Sequence, residues 1–347
     1  MIEFTQAPKS ICLFRVSAIG DVTHILPVIH TLKKTWPETR ITWVIGKLEY
    51  QLVKHLRQVE FVIFDKSRSW KTSLDLRKQL KGQHFDLLLM MQASLRASFA
   101  SLSISARHKL GYDRQRAIDY QWLFSREKIN GPHRVHVLEG FFQFLEAIGI
   151  EQKNYCWDLP LAPEDNQFAR DIINSRPTVL INPCSSARKN NWRNWPQERY
   201  AKIADYLTQK KIQVLITGGP ETGEVNFCQE IVEKSNPSVV NLAGSTSLGS
   251  LLALIKYSKF IIAPDTGPAH MATIVDTPVI GLFASSNPER TGPYKSQHHL
   301  INKYPLALRQ YKQKTIADAA WGERVRDSRV MELIGVEEVK TAIDSLL

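Results

Sequence analysis

The sequence predicts an α/β protein built as two doubly wound domains in tandem, each a parallel sheet covered by helices. Three observations carry this reading. Strand-sized apolar runs alternate with helical patterns of 10–15 residues, the signature of βαβ units. The alternation pauses at a polar, proline-bounded stretch, 150–163, and then begins again. The length, 347 residues, is enough for two cores of ordinary size.

Taken in order, residues 11–16 form an apolar strand that ends in a loop at 17–21. Residues 22–35 have helical spacing (Ile25, Val28, Ile29, Leu32) and stop before Pro37. Strands follow at 40–45, 61–64, 85–91 and 109–112. The helices between them are 51–56, 69–81 and 95–103. Residues 150–163 read as an inter-domain linker bounded by Pro160 and Pro163. The second half places strands at 178–181, 213–217, 239–241, 260–263 and 279–283. Its helices are 198–209, 224–234, 248–257 and 268–275. Residues 305–329 read as irregular, and pattern alone does not place a last helix at 336–347. The expected domains are 1–160 and 176–330, with 331–347 as a terminal helix.

Composition narrows the function. Hydrophobic residues make up 43% and charged residues 23%, which excludes wholesale disorder. No run of 18 apolar residues occurs, and the first ten residues contain no apolar segment, so neither a membrane span nor a signal peptide is expected. The four cysteines (Cys12, Cys156, Cys184, Cys228) contain no C-x-x-C, which argues against a disulfide framework or zinc site and fits the cytoplasm. The net charge of +11 is uneven: residues 1–160 hold 23 Lys and Arg against 15 Asp and Glu, and the remainder 22 against 19. A basic first half suits an anionic partner: nucleic acid, an anionic membrane surface or a phosphorylated acceptor.

Four segments carry candidate chemistry. In the first, Arg15-Val-Ser-Ala-Ile-Gly-Asp21-Val-Thr-His24, a strand turns at Gly20 and Asp21 opens a helix, which puts Asp21 at a carboxyl sheet edge, where ligands bind. An Asp at that position is commonly just a helix cap, and His24 a packed helix residue. In the second, Pro264-Asp265-Thr266-Gly267-Pro268-Ala-His270, the N–H groups of Thr266, Gly267 and Ala269 with the helix dipole would make a phosphate site. In the third, Asn182-Pro-Cys-Ser185-Ser186-Ala-Arg188-Lys189 with Arg193 and Trp195, hydroxyls and three cations suit a diphosphate. In the fourth, Gly218-Gly-Pro-Glu221-Thr-Gly-Glu224, two glycines allow close approach and a carboxylate can accept from ribose hydroxyls. No G-x-G-x-x-G, P-loop or D-x-D occurs, so neither NAD nor P-loop ATP chemistry is implied, and cations and N–H groups would have to neutralise a diphosphate in place of a metal.

Together these segments resemble glycosyltransferase family 9, the ADP-heptose:lipopolysaccharide heptosyltransferases. The resemblance covers nearly the whole chain. Segments 111–124 and 287–294 are similar to the branch that adds the first heptose to Kdo. It implies a GT-B fold: two Rossmann-like domains about a central cleft, acceptor on the first, ADP-sugar on the second, and a C-terminal helix crossing back to the first. It implies an inverting, metal-independent and cofactor-free transfer from ADP-heptose, itself a substrate, to Kdo of lipid A. It further implies a monomer peripheral to the inner face of the cytoplasmic membrane, with no nucleic-acid partner. A second-heptose enzyme, or another GT-B transferase, is the alternative.

By the same resemblance Asp21 is the general base. Ser185, Ser186, Lys189, Arg193, Glu224, Asp265, Thr266, Gly267 and His270 bind the donor. Arg193 stands where the family often has Lys, which leaves Lys189 open for the diphosphate, and Glu221 competes with Glu224 for the ribose. The first-half cations are then the candidate acceptor contacts: Lys54, Arg57, Lys66, Arg68, Lys71, Arg107, Lys109, Arg114 and Arg116.

Overall fold

Apolar runs too short for helices and buried on both faces are what a parallel sheet requires, and β1 (Ser10–Phe14) is such a run, with all five residues buried. In this computed structural model, residues 2, 4–66, 71–185 and 191–347 are described. The chain divides into two compact units, Met1–Pro160 and Leu161–Leu347.

In the first unit, β1 is followed by α1 (Ile19–Thr35), β2 (Arg40–Gly46), α2 (Lys47–Val53), β3 (Glu60–Phe64), α3 (Lys71–Gln79), β4 (Phe85–Met90), α4 (Leu95–Ser101), β5 (Ala106–Gly111), β6 (Glu127–Lys128) and α5 (Val137–Glu146). The sheet order is β3-β2-β1-β4-β5-β6. Every pairing is parallel, with Ile11 opposite both Ile41 and Leu87. Phe14, Phe64, Phe85 and Leu88 lie in the core on one face of this sheet.

The second unit runs α6 (Pro163–Ile173), β7 (Thr178–Ile181), α7 (Gln197–Gln209), β8 (Gln213–Ile216), α8 (Thr222–Glu233), β9 (Val240–Asn241), α9 (Leu248–Tyr257), β10 (Phe260–Pro264), α10 (Gly267–Ile274), β11 (Val279–Phe283), α11 (Pro288–Thr291), β12 (Leu300–Asn302), α12 (Tyr304–Lys312) and α13 (Val336–Asp344). Its sheet order, β12-β11-β10-β7-β8-β9, is the same topology read from the other edge, and again wholly parallel.

Several elements differ from the sequence reading. Helix α5 is absent from it, yet α5 buries Leu138, Phe141, Phe142 and Leu145 and packs on α1. Helix α6, just past the expected linker, is absent from the reading too, because only Ala169 and Ile173 are buried, too thin a stripe to register as periodicity. Helix α12 falls inside the stretch expected to be irregular. Pro305 occupies its first turn, where a missing N–H costs nothing, and so opens the helix instead of breaking it. The tail of the first unit is no loose linker either: Trp157 and Leu159 are buried, and the His30 ring meets the Asp158 carbonyl at 2.9 Å.

The C-terminal helix was expected to return to the first domain. Instead it packs in the second. Val339 and Ile343, one turn apart, face the core shared with α7. Tyr206 donates to Asp344 at 2.7 Å, and the Trp195 indole donates to the Ile334 carbonyl at 3.0 Å. No helix among the described residues is long and apolar enough to cross a membrane.

Candidate functional site

Each sheet reverses its winding at one place, and the strand ends on either side of a reversal open a crevice for ligands. In the first unit the reversal falls between β1 and β4, in the second between β7 and β10. The candidate loops sit there.

In the first unit Asp21 lies in the first turn of α1, where it accepts the Ala18 N–H at 3.1 Å and pairs with Arg15. Arg15 is clamped in turn. It donates to the Met91 carbonyl at 2.6 Å, and its guanidinium lies 5.1 Å from the Phe141 ring centroid. Gln92, just past β4, accepts the Val16 and Ser17 N–H groups, both at 3.1 Å. Gln121 donates to the Met90 carbonyl at 3.2 Å and the Gln92 carbonyl at 2.7 Å. The carboxylate is therefore the half-accessible end of a braced network, which is more than a cap needs. His24 is buried, its ring edge-to-face with His136 at 5.2 Å.

In the second unit Asp265 follows β10. Arg193 donates to its carbonyl at 2.8 Å and its carboxylate at 3.4 Å, and His270 lies 3.8 Å from the other carboxylate oxygen. Burial pushes this carboxyl up, but the nearby His270 ring and the Arg193 charge prevail and hold it down at about 2. Thr266 is the N-cap of α10, yet its hydroxyl donates to the Cys184 carbonyl at 3.2 Å instead of capping the helix. The donors of that first helical turn are thus left uncapped by Thr266. Ser185 belongs to an amide network: its N–H reaches Asn194 Oδ1 at 3.0 Å and its hydroxyl reaches Asn191 Oδ1 at 2.8 Å. The structure thus joins Arg193, Asp265 and His270 directly. Ser186 and Lys189 lie outside the described residues.

Glu224 accepts the Gly219 N–H at 2.8 Å. Burial and the neighbouring Glu221 charge push its carboxyl up, against the lowering effect of that N–H. A Cβ on Gly219 would stand 2.4 Å from Glu221 Oε2 and 3.1 Å from Glu224 Oε2, so this glycine lets both carboxylates crowd one loop. Both acids that the sequence offered for a ribose are therefore present together.

The basic candidates scatter. Lys54 and Arg57 are exposed on the connection leading into the start of β3, and Arg107 is the second residue of β5. All three are at the amino edge of the sheet, opposite Asp21, which places them away from the crevice. Their positive charge had grouped them with the others, but strand direction separates them. Lys109 reaches the Ser101 carbonyl at 3.4 Å, and burial pushes its ammonium pKa down. Lys66 pairs with Glu49 at 2.8 Å. Arg116 is tied to Asp113 and Gln143, bracing the 113–131 segment. Arg114 is exposed beyond the carboxyl end of β5, 5.5 Å from the Trp122 ring centroid. Arg68 and the side chain of Lys71 lie outside the described residues.

Sequence reasoning did not pair Arg15 with Asp21 and gave no role to Gln92, Gln121, Asn182 or Thr217. Asn182 donates to the Thr217 carbonyl at 3.0 Å across the ends of β7 and β8. A usable signal existed for three of them: Gln92, Asn182 and Thr217 are each the first polar residue after an apolar strand, the position Asp265 also holds.

The sequence profile of glycosyltransferase family 9 (heptosyltransferase) matches residues 73–318. Over 337 residues the chain is 38% identical to the lipopolysaccharide core heptosyltransferase OpsX of Haemophilus influenzae, covering 97% of this chain and 96% of that protein. Among solved structures it resembles a glycosyl transferase family 9 protein from Veillonella parvula, with TM-score 0.78 and 21% identity over 97% of each chain. It also resembles E. coli heptosyltransferase WaaC with ADP, with TM-score 0.71 and 17% identity over 97% of this chain and 100% of that one. These structural likenesses bear on the fold, a GT-B-like α/β architecture of two units.

Proposed function

The chain belongs to glycosyltransferase family 9, the heptosyltransferases, and from that premise we propose that it transfers a heptose from ADP-heptose to a Kdo hydroxyl of lipid A in lipopolysaccharide inner-core synthesis. The observation that carries the reading is the braced Asp21 carboxylate at the crevice of the first unit. Asp21 takes the acceptor proton as that oxygen attacks the anomeric carbon. The bond from that carbon to the diphosphate breaks on the opposite face, inverting the centre, and ADP leaves with the electron pair. Negative charge grows on the leaving diphosphate. The uncapped first turn of α10 and the cation Arg193, with Lys189 as the second candidate, stabilise it. Ser185, Ser186, Asp265, Thr266, Gly267 and His270 complete the donor site, and Glu224 or Glu221 accepts from the ribose.

The enzyme works as a monomer, peripheral to the inner face of the cytoplasmic membrane, without a nucleic-acid partner. Incubation with ADP-heptose and Kdo–lipid A, read by mass spectrometry, gives a product heavier by one heptose. No such product, with turnover on another acceptor or sugar nucleotide, overturns the reading.

Two further outcomes follow. Activity persists in EDTA, because backbone amides and cations neutralise the diphosphate. A rate that collapses in chelator and returns with Mg²⁺ or Mn²⁺ contradicts this. Among the basic residues, Arg114→Glu raises the acceptor KM several-fold and leaves ADP affinity alone, whereas Arg57→Glu leaves both near wild type, since it is on the opposite sheet edge. Equal effects of the two substitutions would show that a diffuse charge, and no local contact, attracts the acceptor.

A further inference from the structure

Large apolar side chains stand exposed together on one part of the first unit. Leu95, Phe99 and Leu102 follow one another at helical spacing along α4 and just beyond it. Ile118, Tyr120 and Leu123 project from the segment after β5. All six are between 44 and 71% exposed. The two stretches are neighbours: the Leu95 N–H donates to Asp119 at 3.3 Å, and the Phe99 and Phe124 rings meet edge-to-face at 5.2 Å. Soluble proteins rarely leave so many large apolar groups contiguous without a partner. The backbone also pays to present them, since Asp119 and Tyr120 both hold left-handed conformations, with φ of 53° and 57°.

Cations flank this face. Arg96, Arg114 and Arg126 are exposed. The nearby acids are engaged, Asp113 by Arg116 and Asp119 by the Leu95 N–H. We propose that this face is a docking surface for an anionic phospholipid bilayer, with the apolar side chains entering the interface and the arginines meeting lipid phosphates. Charge selects this occupant over a second copy, because residues 1–160 carry eight more cations than anions and two such units repel. Of the six exposed side chains only Phe99 and Tyr120 could stack on a base, whereas Leu95, Leu102, Ile118 and Leu123 are aliphatic and suit acyl chains.

The face is also wired to the candidate base. Gln121, set between Tyr120 and Leu123, bonds the Gln92 carbonyl, and the Gln92 side chain holds the N–H groups of the loop that leads to Asp21. A lipid-anchored acceptor would thus present its sugar beside Asp21 while its acyl chains stayed in the bilayer. Only this last step rests on the proposed function. Docking itself needs no acceptor.

The test is vesicle flotation without lipid A or sugar nucleotide. Wild type floats with phosphatidylcholine vesicles containing about one-third phosphatidylglycerol, less so in high salt, and weakly with phosphatidylcholine alone. The triple variant Leu95→Ser, Phe99→Ser, Leu123→Ser partitions roughly 10- to 100-fold more weakly into the anionic vesicles. It keeps wild-type ADP binding and wild-type activity on detergent-dispersed acceptor. Should that variant lose its cooperative melt, Arg96→Glu with Arg126→Glu decides instead, by losing binding to anionic vesicles only. Undiminished binding in the folded variants, or no binding by wild type, overturns the proposal. So does a wild-type dimer in vesicle-free solution that the triple variant dissolves. Active enzyme that ignores vesicles defeats docking and with it the peripheral location but leaves the transfer reaction standing, and vesicle-bound protein without transfer defeats the proposed reaction alone.

Discussion

Replacing Asp21 with Asn lowers turnover by roughly 10²–10⁴-fold, the range expected for loss of a general base. The substitution is close to isosteric. The amide oxygen can still accept the Ala18 N–H, so the first turn of α1 keeps its brace. What it loses is proton affinity and the charge that Arg15 pairs with. Donor binding stays near wild type, because Asp21 belongs to the first unit and the candidate donor loops to the second. Single-turnover rates with saturating ADP-heptose, beside ADP titration calorimetry, separate the two quantities. Near-normal turnover in the Asn variant would remove Asp21 from the chemistry.

Asp265→Ala has the second large effect, on stability and on nucleotide binding together. Removing one member of a largely buried ion pair costs about 3 kcal/mol, since the other charge is left without its counter-charge. For a unit of this size that lowers Tm by about 6–12 °C. ADP binding weakens too, because Arg193 loses the carboxylate that aims it. The pH dependence has a definite sign. The Asp265 carboxyl is held at about 2, below its ordinary 3.8, so its contribution is complete at neutral pH. That contribution fades as pH falls from near 4 toward 2, and the wild-type and Ala melting curves converge there. A constant gap between the curves down to pH 2 would be falsifying evidence against the ion pair as the source of the stability.

The alternation of apolar strands and helices was legible because a parallel sheet buries both faces of each strand, leaving unbroken runs such as 87–91 and 279–283. Helices α6 and α12 were not. One has a two-residue buried stripe, and the other opens on a proline that elsewhere would end a helix. The loops bearing Asp21, Asp265 and Glu224 could be placed, since a polar residue after a strand must lie at the carboxyl edge. Their partners could not, because Arg15–Met91, Arg193–Asp265 and Gln121–Gln92 join residues far apart in sequence. Basic residues were over-collected for a related reason. Composition gives Arg57 and Arg114 the same weight, and only strand direction puts them at opposite edges. The terminal helix was placed by resemblance to the family, and its own apolar residues, Val339 and Ile343, join the core of the second unit.

The shared strand order has a consequence for synthesis on the ribosome. Each sheet is built around its earliest strand, and that strand cannot be completed early. Residue 11 is opposite Leu87 in the finished register, and Val179 is opposite Phe260. At about 5–20 residues per second, β1 emerges roughly 4–15 seconds before β4. For that interval a largely apolar strand has an edge unpaired, the condition in which nascent chains associate wrongly. The same delay recurs once for the second unit. Because the described strands of each sheet come from its own unit, the interval for β1 closes before that for β7 opens, and the two earliest strands never wait together.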